Sequence, residues 1–431
     1  MNNKKINIAI LAQEPLGWGS GKHYFPVILD NYTWITKNKK YTFKTEYVYD
    51  KDILDGKLLL SKYDVLLAPG GGVGDGEAIT KGFNSSLKVR KWKKKIQKYI
   101  KDGGSYIGIC GGAALFTGLD TGKDSKPKSF LEKLYDNSSL NISCVKHFYK
   151  HLAFPLLCPS QYNNPEKIGA IGYVFSFSPG KTKDNFSFHS GGVPVDFKIS
   201  KDNPIFSDYP NETLRVRWWG GPALTIPNKT NRFLKVCAKY PKDDFSTHDK
   251  TRIFAWSYKG GLHGLVRSLF ESLFLIKKEK LSLKDILIYT YYLAKPWKKS
   301  NNILDLDFSE KPSITIEEFP NNNKSRIILC TSHPEYMIWW EGKIVEAEES
   351  KDLCLATGFH KWEDVKPFSK DLIEELTYTW WVVRRFAAWA AKVPDGELPP
   401  IEKEKHSQMI EKIVKKNVYW DGTLIDQMKN I

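Results

Sequence analysis

None of the six cysteines, at 110, 144, 158, 237, 330 and 354, forms a C-x-x-C pair. That spacing argues against a thiolate zinc site and favours free thiols over a disulfide framework. Long apolar runs are missing too, and nothing approaches the ~18–20 residues of a membrane span. The opening MNNKKINIAILAQEPLGWG has a basic lead but lacks the extended apolar core of a secretion signal. It reads as a first strand, and the chain is expected to be soluble and cytoplasmic, with no membrane partner. There is no internal repeat. Acidic residues are in deficit, 49 Asp and Glu against 65 Lys and Arg, a net charge of +16.

This positive charge raises the question of nucleic acid. Its densest run is Lys88 to Lys101, where Val89, Trp92, Ile96, Tyr99 and Ile100 recur at helical spacing. The run therefore predicts a helix with one face packed inward and lysines covering the other. Other lysine clusters fall at 37–40, 277–280 and 298–299, with no nucleic-acid motif beside them, so no nucleic-acid partner is expected.

What is present is a core. Hydrophobic residues make up 41% of 431 residues and aromatics 13%, which excludes wholesale disorder. The length fits two or three domains, or one large α/β domain with insertions. The first 115 residues predict strands at 5–11, 41–49, 63–68 and 105–109, separated by helical stretches. That alternation implies βαβ units and a mostly parallel sheet with helices on both faces. From 144 to 260, short β-like pieces at 173–177, 194–199, 213–222 and 252–258 are punctuated by Gly, Pro and Asn. Residues 264–295 read as amphipathic helix and 296–324 as a polar loop. Together they form an insertion at about 264–324, because a strand signal resumes at 326–330. A Trp-rich helix over 372–392, a Pro-rich break at 394–400 and a charged final helix make 346–431 a C-terminal helical extension.

Chemistry concentrates in three stretches. Gly108-Ile-Cys110-Gly-Gly112 is a thiol version of the strand–turn–helix elbow, in which small flanking residues admit a strained turn. The elbow raises the sulfur above the sheet and sets it at a helix N-terminus, where the dipole favours a thiolate. The competing reading is a buried structural cysteine in a Gly-rich turn. Ser332-His333-Pro334-Glu335 follows the strand at 326–330. His333 is placed to act as base to Cys110, and Glu335 to orient the imidazole. Ala68-Pro-Gly70-Gly71-Gly72 closes the third strand. The backbone N–H of Gly71 or Gly72, with that of Gly111, is the candidate oxyanion hole; a flexible turn or a phosphate loop are the alternatives.

Gly17 to His23 imitates a phosphate loop but has Leu16 where the first glycine belongs and His23 where Ser or Thr would bind Mg²⁺. It is expected to border the same strand-end pocket. Trp219, Gly220 and Gly221, in Trp218-Trp-Gly-Gly-Pro222, form a weaker substrate-binding candidate, with core packing equally open. The Trp-rich helix could belong to the core or to an interface.

These residues together resemble the class I glutamine amidotransferase-like superfamily. The Cys stretch Gly103 to Ala113 and Ser332-His-Pro-Glu335 are shared across that superfamily. Leu67-Ala-Pro-Gly-Gly-Gly72 and Trp219-Gly-Gly-Pro222 point more narrowly to the domain found at the N-terminus of eukaryotic biotin–protein ligases and in stand-alone microbial proteins. The resemblance covers about 5–263 and 325–345. It implies a flavodoxin-like three-layer α/β sandwich within a domain at 1–345. It also implies a Cys110–His333–Glu335 triad, a small-molecule amide substrate, and neither cofactor nor metal. The biotinyl-adenylate loop of the ligase half and any ammonia-accepting domain are missing. Amidotransfer would therefore need a partner protein, for which the insertion or the C-terminal helices offer surface. PfpI-type proteases carry His directly after the nucleophile, where this chain has Gly111. A non-catalytic ligand-binding or regulatory module on the same fold is the alternative.

Overall fold

The computed structural model describes residues 2–12, 21–30, 32–70, 87–120, 140–148, 173–177, 187–189, 193–218, 220–243, 251–258, 297–303, 306–320, 324–336, 339–340, 343–346, 360–363, 366–367 and 372–402. The first half runs β1 (Asn2–Leu11), α1 (Gly21–Leu29), β2 (Thr33–Ile35), β3 (Lys39–Val48), α2 (Asp50–Leu54), β4 (Val65–Ala68), α3 (Leu87–Lys101), β5 (Ser105–Ile109) and α4 (Gly111–Phe116). Short strands follow: β6 (Gly118–Leu119), β7 (Lys146–Phe148), β8 (Tyr173–Phe177) and β9 (Ser187–His189). Then come β10 (Val193–Ile199), β11 (Thr213–Trp218), β12 (Ala223–Thr225), β13 (Leu234–Lys239), β14 (Thr251–Tyr258) and β15 (Trp297–Ile303). The chain continues with β16 (Pro312–Glu318), β17 (Arg326–Cys330) and, past short pairings within 339–367, helix α5 (Leu372–Ala390).

Ten strands form one sheet in the order β11-β10-β13-β16-β17-β5-β4-β1-β3-β2. Pairing is parallel from β17 through β5, β4 and β1 to β3. It is antiparallel at β2–β3 and across β16, β13, β10 and β11. The fold is α/β, but the expected mostly parallel sheet is corrected to a mixed one, because β2 and the strands from β16 to β11 join it antiparallel.

Side chains along the central strands alternate between two apolar clusters, as the two-residue period requires. Ile6, Ile8, Ile10, Ile107, Ile109 and Ile328 share one cluster with Phe25 and Ile28 of α1 and with the tryptophans of α5. Ala9, Leu11, Leu66, Tyr106, Ile327 and Leu329 share the other with Trp92 and Ile96 of α3. Helix α3 forms as its spacing predicts. It stops where the N–H groups of Gly103 and Gly104 turn back to the carbonyls of Ile100 and Tyr99, with Gly103 at φ 121°.

The segment 296–324 is not a polar loop: it contains β15 and β16, and β16 lies inside the main sheet next to β17. One face of β16 is polar yet buried. Ser313, Thr315 and Glu317 are at most 1% exposed, which hid the strand in the sequence. Glu317 is tolerated there because Ser143 Oγ (2.6 Å), the Cys144 N–H (3.2 Å) and Arg232 all donate to it. The expected helix at 264–295 and the final charged helix beyond 402 lie outside the described residues. Helix α5 is core: Trp380, Trp381 and Trp389 are all buried although they point in different directions. The indole of Trp380 donates to the Glu335 carbonyl (3.2 Å) and that of Trp381 to the Pro399 carbonyl (2.9 Å), while the Arg326 guanidinium lies 4.6 Å from a Trp389 ring centroid.

Candidate active site

Cys110 occupies the turn between β5 and α4 at φ 48°, a backbone state side-chain-bearing residues rarely adopt. The strain is held from several directions. Its N–H donates to the Cys330 carbonyl (2.7 Å), and its carbonyl accepts from the Ala113 and Ala114 N–H groups (3.0 and 3.2 Å). The neighbouring glycines are sterically required. A methyl on Gly112 would sit 2.1 Å from the Ala68 carbonyl oxygen, and one on Gly108 would sit 2.6 Å from the Gly112 oxygen. Tyr106, beneath the turn, donates its hydroxyl to that same Gly112 oxygen at 2.6 Å.

His333 lies just beyond β17, where its N–H donates to the Arg217 carbonyl (2.9 Å) in an isolated antiparallel bridge to β11. Its Nδ1 is 2.8 Å from Glu335 Oε1, and both side chains are fully buried. Burial alone would push this imidazole down. The Cys110 sulfur and the Glu335 carboxylate outweigh burial and lift it from 6.5 to about 9. The pair thus favours an imidazolium facing a sulfur, the arrangement that nucleophile activation needs.

Gly70, just past the end of β4, shows how close the two side chains come. A methyl there would lie 2.4 Å from Cys110 Cβ and 2.6 Å from His333 Cε1. Strands β4, β5 and β17 are adjacent and parallel, so their carboxyl ends deliver Gly70, Cys110 and His333 to one edge. Gly221 closes another side: its added methyl would lie 3.4 Å from Cys110 Sγ and 1.8 Å from the Thr331 carbonyl oxygen. Gly220 takes φ 79°, so the Gly220-Gly221-Pro222 turn needs its first glycine for conformation and its second for space.

The structure therefore brings Cys110, His333, Glu335 and Gly221 together, with Gly111 buried beside Cys110 as the first residue of α4. Gly71, Gly72 and Trp219 lie outside the described residues, as does the loop at 13–20.

Several neighbours carried no signal of their own. The Tyr240 hydroxyl accepts from Trp218 Nε1 (3.1 Å), donates to the Pro222 carbonyl (2.9 Å) and meets Thr331 Oγ1 (2.9 Å). Trp218 Nε1 also reaches the Gly221 carbonyl (3.0 Å), so this network anchors the Gly-Gly-Pro turn over the sulfur. Tyr336 stacks on the His333 ring. It could have been suspected from its place directly after the His-Pro-Glu stretch, and Trp218 from the Trp-Trp pair. Nothing marked Tyr240 or Arg217.

Among the described residues, no group of three or more His, Cys, Asp or Glu side chains is placed to share a metal ion. No helix among them is long and apolar enough to cross a membrane. Cys110, Cys144, Cys237 and Cys330 are free thiols.

No family model matches the chain, and no curated protein does. Among solved structures, it is similar to a thua-like protein from Bacteroides uniformis ATCC 8492, at 9% identity and a TM-score of 0.31, covering 76% of this chain and 81% of that one. A second similarity is to SMU.1228c, at 14% identity and a TM-score of 0.22, covering 54% and 67%.

Proposed function

We propose that the protein is a Cys-dependent amide hydrolase or glutamine amidotransferase-like enzyme working through an acyl-thioester. The observation that carries the proposal is the approach of Cys110 and His333 to the same point above Gly70, with Glu335 behind the imidazole at 2.8 Å. The sulfur of Cys110 attacks the amide carbonyl, and the C–S bond forms as the carbonyl electrons move onto oxygen. Backbone N–H groups of the glycine turns, Gly111 and either Gly71 or Gly72, donate to that oxyanion. The imidazolium of His333 gives its proton to the departing nitrogen as the C–N bond breaks. It then takes a proton from water, whose oxygen displaces the thiolate and releases the acid. Glu335 holds Nδ1–H throughout, so that Nε2 faces the sulfur.

In this reading the chain is cytoplasmic and adopts a flavodoxin-like three-layer sandwich of the class I glutamine amidotransferase-like superfamily, near the biotin–protein ligase N-terminal domain. Its domain spans 1–345, and 346–431 follow, with helix α5 packed into the same core. Neither cofactor nor metal takes part. The substrate is a small amide, and amidotransfer takes a partner protein, whose docking surface lies outside the buried strand β16 and helix α5.

The test is incubation of the folded chain with an electrophilic glutamine analogue, followed by intact mass and peptide mapping. One adduct on Cys110, lost in Cys110→Ala and His333→Gln, is the expected result. A folded wild-type protein that stays unlabelled at neutral pH would overturn catalysis. It would favour the second reading, a ligand-binding or regulatory module on the same fold.

A further inference from the structure

We propose that Tyr336 is a positioning residue for His333: its ring, stacked on the imidazole, holds that base toward Cys110 and stabilises its protonated form. The inference rests on the reading of Cys110 and His333 as nucleophile and base.

The hydrogen bonds of an imidazole lie in its plane, so the contacts of His333 with Glu335 and Cys110 do not by themselves fix the ring's faces. A parallel ring does. The Tyr336 and His333 centroids are 4.8 Å apart with 20° between their planes. Tyr336 is itself held. It is 1% exposed, its N–H donates back to the His333 carbonyl (3.2 Å), and Tyr24 of α1 packs edge-on against it at 5.1 Å and 81°. Pro334 lies inside this tight 333–336 turn and limits its freedom further.

The π face also has an electrostatic consequence. A cation over an aromatic ring is attracted by the ring quadrupole, more strongly when water is excluded. An imidazolium stacked on Tyr336 gains this and a neutral imidazole does not. The charged and titratable groups around His333 come from several elements. Cys110 faces it from the β5–α4 turn and Glu335 from its own turn. Tyr24 reaches Tyr336 from α1, and Tyr240 stands near Cys110 just after β13. Arg217 on β11 is the opposing group: it is a like charge, 4% exposed, with its guanidinium 5.1 Å from the Tyr336 centroid. The tyrosine ring offers a π surface to both cations and lets them coexist in one buried layer.

The experiment is the pH dependence of Cys110 alkylation by iodoacetamide in the full chain, followed by mass spectrometry from pH 5 to 10. Wild type, Tyr336→Phe, Tyr336→Leu and His333→Gln are compared, with near-ultraviolet circular dichroism to confirm folding. Tyr336→Phe, which keeps the ring, is expected to retain the wild-type profile. Tyr336→Leu is expected to move the His333-dependent midpoint down by about half to one pH unit and so to slow alkylation by about two- to fivefold near pH 9. If Tyr336→Leu does not fold, Tyr336→Met refills the space without a π face and is read the same way. A folded, ring-less variant with the wild-type midpoint would overturn the inference. A wild-type profile that His333→Gln leaves unchanged would instead overturn the nucleophile–base reading, so the two failures are distinguishable.

Discussion

Gly70 and Gly221 decide, at the scale of single residues, whether the site can exist. An alanine at 70 would force its methyl to 2.4 Å from Cys110 Cβ, and one at 221 to 1.8 Å from the Thr331 carbonyl. Each is expected to destabilise the fold by about 1–3 kcal/mol and to cut electrophile labelling of Cys110 at least tenfold. Gly396→Ala has nothing within 4 Å of the added carbon and is expected to change stability by less than about 0.5 kcal/mol, with labelling untouched. Urea denaturation beside timed labelling checks all three, and equal behaviour of the three would contradict the packing described. The sequence marks Gly221 only as part of a Trp-Trp-Gly-Gly-Pro stretch. That a methyl on it would reach Cys110 Sγ depends on where β11 and β17 end, which no local pattern records.

Helix α5 binds the sheet to the site at the level of elements. Its Trp380 indole donates to the Glu335 carbonyl, so the helix braces the turn that carries the imidazole's carboxylate partner. Trp380→Phe keeps most of the volume and loses the N–H, an expected cost of about 1 kcal/mol. Trp380→Ala opens a cavity, at about 3–5 kcal/mol. Thermal melts of the two variants, compared with the wild type, measure the difference. Strand β16 makes the complementary case. Arg232→Met would leave the buried Glu317 carboxylate without its cation, an expected loss of about 3–5 kcal/mol. Adding Glu317→Gln to that variant should restore part of the loss, and a double variant no more stable than Arg232→Met would count against the ion pair. Three tryptophans on different faces of α5 left its environment open in the sequence. The structure resolves this because the sheet, the Glu335 turn and the 398–401 segment cover it from separate sides.

The whole molecule feels the site through protons. The folded state holds the His333 imidazole protonated to about pH 9, whereas an unfolded histidine releases its proton near 6.5. Between these values the native state binds the extra proton, so stability falls as pH rises. The contribution is fully present below about 6.5 and lost through about 9. Denaturant midpoints from pH 6 to 10 should fall more steeply for the wild type than for His333→Gln. Parallel slopes for the two proteins would show that the imidazole is not held protonated by the fold.

What the amino-acid order determined by itself is local and steric. The strands read at 5–11, 41–49 and 105–109, the amphipathic helix at 88–101 and the Gly-x-Cys-x-Gly turn follow from short-range periods and from the room glycine leaves. The tertiary structure decided the rest. It placed β16 within the sheet, made the sheet mixed, buried Glu317 beside Arg232, and brought Gly70, Gly221, Tyr240 and Tyr336 around the Cys110–His333 pair. Those outcomes depend on strand order and on groups far apart in the chain meeting in a water-poor interior. There a polar residue is stable only beside partners that the local sequence does not name.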